Sequence, residues 1–185
     1  MILTGPAIRQ AVKAGDLTID PYLPEHTNPN SHGYRLGGTL KVFTRTPVDP
    51  RTSPPTRTIT IPERGYRLRP GRTYLGSTVE RIGSDRFVTS LIGRSSVGRL
   101  GLFTQIAADL AQLGAVHQWT LEIVVTQPLK VYPGMVIGQV SFWDPVGERM
   151  PYSGYYGTLS DPSPFAPHAL AGGTAVGPSP EVYAA

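Results

Sequence analysis

The stretch Trp119-Thr120-Leu121-Glu122-Ile123-Val124-Val125 is the clearest indication of how this chain folds. Large apolar residues alternate with other residues, and successive side chains of a β-strand point to opposite faces of the sheet. The stretch therefore predicts a strand with one apolar face, formed by Trp119, Leu121, Ile123 and Val125. Glu122 lies on the opposite face of that strand.

A period of two residues recurs over much of the chain, in residues 40–44, 58–61, 72–80, 86–92, 120–125 and 136–142. The 21 glycines and 19 prolines among 185 residues indicate many turns between short strands. A brief strand is also predicted at residues 17–19, whereas residues 106–113 are ambiguous between helix and other structure. We therefore expect a mainly β protein, a barrel or sandwich of short strands.

One short helix is predicted at the N-terminus, where Pro6 suits the first turn and Gly15 the end. Residues 1–161 are expected to form one domain, since the chain is long enough for one core and too short for two. Residues 162–185 are rich in Pro, Gly and Ala and carry few charges. We expect this segment to be a mobile tail or a lid that orders on binding.

The composition excludes several kinds of chemistry. The chain has no cysteine, which excludes disulfides, thiolate metal ligands and cysteine nucleophiles and fits a reducing cytoplasm, where we expect the protein. Its four histidines share no metal-ligand spacing, so no metal site is predicted. No stretch approaches the ~18 apolar residues of a membrane span. The net charge of +4 is mostly arginine but forms no long basic run, so no nucleic-acid partner is predicted.

The run Gly93-Arg94-Ser95-Ser96-Val97-Gly98-Arg99-Leu100-Gly101-Leu102 places two guanidiniums and two hydroxyls between glycines. Guanidiniums match phosphate oxygens with forked donors, and small residues let backbone N–H groups approach an anion. The run is thus a candidate binding loop for a phosphorylated small molecule. The alternative interpretation is a solvated Arg/Ser loop.

Glu122 is the candidate general base. A carboxylate beside Val124 is expected to be partly desolvated, which raises its pKa and suits it to proton transfer near neutral pH. The alternative is a solvent-facing glutamate on a half-exposed strand.

Taken together, these residues resemble the metal-free dCTP deaminases, which are relatives of the trimeric dUTPases. The match runs in order through the N-terminal helix and residues 17–21, Tyr34-Arg35-Leu36-Gly37, the block from Arg94 to Gly101, Leu121-Glu122, Tyr132-Pro133-Gly134-Met135-Val136-Ile137-Gly138-Gln139 and Pro151-Tyr152. The resemblance implies a distorted jelly-roll β-barrel of the dUTPase type with a short N-terminal helix. It also implies a homotrimer with active sites between subunits.

The resemblance further implies a role for each matching residue. Glu122 corresponds to the general base, Ser95 to the serine that holds the attacking water, and Arg99 to the arginine that polarises the site. The implied nucleotide-binding residues are Arg94, Ser96, Ala108, Asp109, Gln139, Tyr152 and Tyr156.

The implied reaction is hydrolytic deamination of a cytosine nucleotide to the uracil nucleotide and ammonia. No cofactor is expected for this chemistry, and Mg²⁺ enters only as the partner of a polyphosphate substrate. Fixed hydrogen-bond donors are then expected to supply the electrostatic stabilisation.

The chain departs from the family pattern before Glu122. Where the family carries Ala-His-Arg, an acidic residue and Pro-Gly-Trp, this chain has Ala108-Asp109-Leu110-Ala111-Gln112-Leu113-Gly114-Ala115. In the tail, Tyr155-Tyr156 replaces a Lys-Tyr pair that closes on phosphates. We therefore expect a substrate other than plain dCTP, such as a ribonucleotide, a monophosphate or a modified cytosine nucleotide.

Two other functions stay open at the level of the sequence. Asp109 could activate water on a phosphate chain, as in a dUTPase-like pyrophosphohydrolase, although the Arg-Ser-Ser block favours the deaminases over the Arg-Ser-Gly of dUTPases. The departures are also consistent with a catalytically silent nucleotide-binding relative.

Overall fold

The structure is a computed structural model, and it describes residues 1–104, 108–154 and 162. Helix α1 (Gly5–Ala14) opens the chain with Pro6 in its first turn. Its apolar side buries Ile8 and Ala11, and the chain leaves it at Gly15 with φ at 80°, a conformation that favours glycine. The predicted N-terminal helix is therefore confirmed.

Twelve strands follow in the described residues. They are β1 (Thr18–Asp20), β2 (Thr27–Asn28), β3 (Ser31–Arg35), β4 (Thr39–Phe43), β5 (Thr56–Thr60), β6 (Tyr66–Leu68), β7 (Tyr74–Gly83), β8 (Val88–Gly93), β9 (Leu102–Thr104), β10 (His117–Val125), β11 (Leu129–Val131) and β12 (Val136–Trp143). Two single helical turns interrupt them, a 3₁₀ turn at Pro24–His26 and α2 (Ser95–Gly98).

The strands form two main antiparallel sheets. The first has the order β5-β4-β7-β10-β9, with β1 also paired to β7, and the second has the order β2-β3-β12-β8. Strands β6 and β11 form a separate pair. The apolar residues of both sheets share one core, whose largest fully buried members include Tyr34, Phe142, Leu36, Leu91 and Leu121. Hydrogen bonding does not close the described strands into one continuous barrel.

The mainly β prediction is confirmed, and each of the six segments with a period of two falls on an observed strand. Strand β3 is absent from the predictions because four of its five residues, Ser31 to Tyr34, are buried, so burial does not alternate along it. The part of residues 106–113 that is described, residues 108–113, contains no helix. The predicted tail lies outside the described residues except for Pro162.

Candidate active site

Strand β10 presents Glu122 on the outer face of the larger sheet. Its neighbours Leu121 and Ile123 are fully buried, Val125 is buried, and Glu122 is exposed, as the alternation predicts. Glu122 lies opposite Leu75 of β7. The desolvation expected for this carboxylate is not supplied within the single chain, because Glu122 faces away from the core.

The pairing of β10 with β7 contains a bulge just before Glu122. Gln118 pairs with Arg81 and Thr120 with Ser77, so Trp119 alone lies opposite three residues of β7. Thr78 holds this bulge together, because its hydroxyl accepts the Trp119 N–H at 2.9 Å and donates to the Glu80 carbonyl at 2.7 Å. Bulges of this kind turn side chains relative to the regular alternation.

A cavity of about 340 Å³ opens beside the bulge. Its lining combines β10 with the segment that precedes it and one residue of β8, namely Leu91, Ala108, Asp109, Leu110, Ala111, Gln112, His117, Trp119, Thr120 and Glu122. Three of the predicted site residues, Ala108, Asp109 and Glu122, thus line one cavity. Such a volume lies in the range of small-molecule sites.

The segment at residues 108–112 is fixed against the edge of β8. The Leu91 N–H donates to the Asp109 carbonyl and the Ala111 N–H to the Thr89 carbonyl, both at 2.8 Å. The Ser90 hydroxyl donates to Oδ2 of Asp109 at 3.1 Å. This cross-strand pairing explains why residues 109–111 run alongside β8 rather than forming a helix.

Tyr152 is tied to the end of the same segment. Its N–H donates to the Leu113 carbonyl at 2.7 Å, and Gly114 next to it has φ at 87° and lies against Pro151. Tyr156, the other predicted tail residue of the site, lies outside the described residues.

The Arg/Ser loop (Arg94 to Arg99) connects the two main sheets, since β8 precedes it and β9 follows it. Val97 is buried and anchors the α2 turn, whereas Ser95, Ser96 and Arg99 are exposed. Arg94 is half-buried and extended. The loop thus presents hydroxyls and guanidinium groups outward from an apolar anchor.

Tyr34 ties the strands on both sides of this loop to each other. Its buried hydroxyl donates to the Ile92 carbonyl at 3.1 Å and lies 3.3 Å from Oγ1 of Thr104. Burial raises the pKa of Tyr34 to about 12, although the hydrogen bond with Thr104 opposes the rise. The phenol therefore stays protonated and acts as a donor at physiological pH.

Gln139 lies on β12 and does not line the cavity. It pairs with Ile92 of β8 and Gly33 of β3, and its Oε1 accepts from the Ser31 hydroxyl at 3.4 Å. Among the described residues, the cavity lining includes neither Gln139 nor any residue of the loop. The predicted site residues therefore fall into two groups on one chain.

His117 and Trp119 also line the cavity, although no motif in the sequence marks them as site residues. Their rings lie 4.1 Å apart between centroids, with an angle of 36° between the planes, and both line the cavity of Glu122. The period of two placed Trp119 on the core face, and its side chain does pack against the core, but it also lines the cavity beside the bulge.

The described residues contain no cluster of three or more His, Asp or Glu side chains that could hold a metal ion. Within the same part of the chain, no helix has the length and apolar character needed to cross a membrane.

Comparison with known proteins gives the family. Residues 2–144 match the family model described as dCTP deaminase-like. A relative from Leptospira biflexa, named dCTP deaminase, dUMP-forming, is 44% identical over 157 residues, which cover 84% of this chain and 90% of the relative. A relative of the same name from Hathewaya histolytica is 41% identical over 157 residues, covering 84% of this chain and 91% of the relative.

A solved structure gives the fold. The 2'-deoxycytidine 5'-triphosphate deaminase from Agrobacterium tumefaciens matches with a TM-score of 0.61 at 23% identity. The match covers 76% of this chain and 47% of that chain, so this chain spans about half the length of the solved one. The fold is thus that of a dCTP deaminase of known structure. By its sequence, the chain belongs to the dCTP deaminase-like family.

Proposed function

We propose that this protein catalyses the hydrolytic deamination of a cytosine nucleotide, with Glu122 as the general base. The observation that carries the proposal is the position of Glu122 at a cavity of nucleoside-binding size, shared with the Ala108 segment. Membership of the dCTP deaminase-like family supports the same reaction.

In the proposed reaction, Glu122 takes a proton from water and the resulting hydroxide adds to C4 of the cytosine ring. Glu122 gives that proton to the ring nitrogen N3, which keeps it. The carboxylate then moves the proton of the new C4 hydroxyl to the amino group, so the C4–N bond breaks, ammonia leaves and C4 becomes a carbonyl carbon. One water is consumed for each uracil nucleotide formed. Fixed hydrogen-bond donors stabilise the charge that develops on the ring.

The Arg/Ser loop supplies the remaining roles in this proposal. Ser95 holds the attacking water and Arg99 polarises the site, while Arg94 and Ser96 bind phosphate oxygens through guanidinium and hydroxyl donors. The exposure of Ser95, Ser96 and Arg99 supports these roles. No cofactor takes part in the proposed chemistry, and Mg²⁺ accompanies the substrate only where that is a polyphosphate.

A homotrimer with sites between subunits is part of the proposal. On one chain, the Arg/Ser loop does not line the described part of the Glu122 cavity, so a neighbouring subunit would supply it. Large apolar side chains around both groups are exposed in the single chain, namely Ile92, Leu100, Phe103 and Leu110. Burying such residues against another subunit is favourable. The same contact would exclude bulk solvent from Glu122 while leaving room for the attacking water.

Two observations bear on the substrate. The name of the relatives describes conversion of dCTP to dUMP, which requires loss of the amino group and of two phosphoryl groups. If this chain does the same, the deaminase and pyrophosphohydrolase hypotheses describe two steps of one enzyme, and Asp109 is the candidate for the second step. The departures at residues 108–115 instead favour a changed sugar, phosphate chain or ring substituent.

Substitution of Glu122→Gln tests the proposal. We expect the variant to lose ammonia release by at least about a hundredfold, the usual contribution of a general base, and to keep its thermal unfolding midpoint because Glu122 is exposed. Glu63→Gln, also at an exposed position, is the matched control and should retain full activity.

The same assay, run with CMP, dCMP, CTP and dCTP while phosphate products are separated, identifies the substrate. Clear preference for dCTP would overturn the altered-substrate hypothesis. Pyrophosphate release without ammonia would replace the deaminase with a pyrophosphohydrolase, and tight nucleotide binding without any product would leave a silent relative.

A further inference from the structure

We propose that His117 and Trp119 form an aromatic wall that recognises the pyrimidine ring of the substrate and so determines specificity at the Glu122 cavity. This inference rests on the proposed function and adds a recognition element to it. The wall is a binding element and takes no proton in the reaction.

The β7–β10 bulge makes the wall possible. In a regular strand, residues 117 and 119 would face away from residues 120 and 122. The bulge lies between these two pairs, and all four residues line the same cavity. At the bulge, an aromatic pair and the candidate base thus line one cavity.

Hydrogen bonds hold the wall rigidly before any ligand binds. The Trp119 indole donates from Nε1 to the Ile82 carbonyl at 2.8 Å, and its backbone N–H donates to Thr78 at 2.9 Å. Nδ1 of His117 lies 2.8 Å from the Gln118 carbonyl, and His117 is only 7% exposed. Little side-chain entropy therefore remains to be lost when a ring packs against the pair.

The polarity of the cavity fits a flat ring with one polar edge. The wall is joined by the apolar residues Leu91, Leu110 and Ala111, whereas Glu122, Thr120 and Asp109 supply polar groups. Stacking of a nucleobase on an aromatic side chain tolerates any base, so the wall selects a planar ring. The polar groups then distinguish cytosine from other planar rings.

Tryptophan fluorescence tests the wall directly. The chain has two tryptophans, Trp119 and Trp143, and Trp143→Phe leaves Trp119 as the single reporter. We expect the Trp119 emission of the full-length protein to change on titration with dCMP or dCTP. It should stay constant with 2-deoxyribose 5-phosphate or pyrophosphate, which carry no base. Equilibrium dialysis at the same concentrations establishes that each nucleotide is bound.

Two substitutions at His117 separate ring recognition from mere structural support. His117→Ala should raise the KM for the cytosine nucleotide roughly tenfold or more with little change in kcat, because base–aromatic stacking strengthens binding by about that factor. His117→Phe keeps a flat ring and should restore most of the lost affinity. Thermal unfolding of both variants shows that they remain folded at the assay temperature.

Several results would contradict the proposed role of His117 and Trp119. Constant Trp119 emission with dialysis-proven nucleotide binding, or an equal response to pyrophosphate, would do so. Equal KM values for His117→Ala and the parent protein would also contradict it. If the protein releases ammonia but the Trp119 emission does not change, the proposed role of the wall is wrong and the proposed reaction stands. If the Trp119 emission changes only with ligands that carry a base but no ammonia is released, only the proposed reaction is wrong. Absence of nucleotide binding would refute both.

Discussion

Gly138 illustrates how single residues set the geometry beneath the Arg/Ser loop. A Cβ atom at this position would overlap the ring and hydroxyl of Tyr34 and lie 2.6 Å from the Ile92 carbonyl. The absence of a side chain therefore leaves room for the phenol that joins the ends of β8 and β9. The requirement is steric, since φ of Gly138 is not in the positive range.

We predict that Gly138→Ala lowers the free energy of unfolding by about 3 kcal/mol, because overpacking displaces the buried Tyr34 ring. Gly38→Ala is the control, since its new Cβ would meet no heavy atom within 4 Å. Urea unfolding of both variants measures the difference. Equal stability of the two variants would contradict this account of Tyr34.

His32 on β3 gives the described part of the chain a pH-sensitive residue in its core. It is 1% exposed, and burial lowers its pKa from 6.5 to about 4. The positive charges of His26 and Arg35 act in the same direction, whereas Glu25 opposes them. His32 is therefore neutral in the folded protein at pH values where the unfolded chain begins to take up a proton.

We predict that the free energy of unfolding falls as the pH is lowered from 6.5 to about 4, in part through His32. Between pH 6.5 and about 4, His32 binds a proton in the unfolded state but not in the folded state. The stabilisation that is present above pH 6.5 is therefore lost as the pH falls through this range. His32→Phe keeps a ring against Tyr22 but cannot titrate, and should show a shallower loss. Urea unfolding at several pH values compares the variant with the parent protein. If the free energies of unfolding of the two proteins depend on pH in the same way, His32 does not have this role.

At the scale of elements, the β7–β10 bulge lies between the buried side chain of Thr78 and the cavity of Glu122. Thr78 is fully buried, and its hydroxyl satisfies two backbone groups that lie at the bulge, where regular pairing is interrupted. The bulge thus depends on one side chain, and the placement of His117 and Trp119 depends on the bulge.

We predict that Thr78→Val lowers the free energy of unfolding by about 2 kcal/mol, since it leaves the Trp119 N–H and the Glu80 carbonyl without the hydroxyl. Nucleotide affinity should fall as well, because the wall loses its backbone support. Thr58→Val, at an exposed position of β5, is the control and should change stability by less than about 0.5 kcal/mol. Urea unfolding and equilibrium dialysis measure both effects. An unchanged Thr78→Val variant would show that the bulge is held by other contacts.

At the scale of the whole molecule, the two groups of site residues indicate how the proposed trimer would work. Glu122 and residues 108–112 line the cavity, whereas the Arg/Ser loop and Gln139 do not line its described part. A complete site would then combine the cavity of one subunit with the loop of the next.

We predict that mixed trimers of Glu122→Gln and Arg99→Ala subunits recover activity that neither variant has alone. Random assembly at equal ratio would give a wild-type Glu122 beside a wild-type loop in about a quarter of the sites. Co-expression with two affinity tags and assay of ammonia release measures the recovery. No recovery in purified mixed trimers would indicate that both groups act within one subunit.

Much of the fold follows from the sequence because period-two alternation is a local signal. The six strands predicted from a period of two, the N-terminal helix and the exposure of Glu122 all depend on residues close together in the chain. Strand β3 was not predicted because most of its residues are buried, so that buried and exposed residues do not alternate along it. The pairing of residues 109–111 escapes prediction because a strand distant in the sequence, β8, supplies the hydrogen bonds.

The sequence by itself determined the strands, the chemical groups of the candidate site and the family to which they belong. Only the tertiary structure decided which of these groups share a cavity. A bulge changes which side chains face together without changing the apolar pattern that the sequence displays. Hence Glu122 could be identified from its strand, whereas its neighbours His117 and Trp119 emerged only from the pairing of β10 with β7.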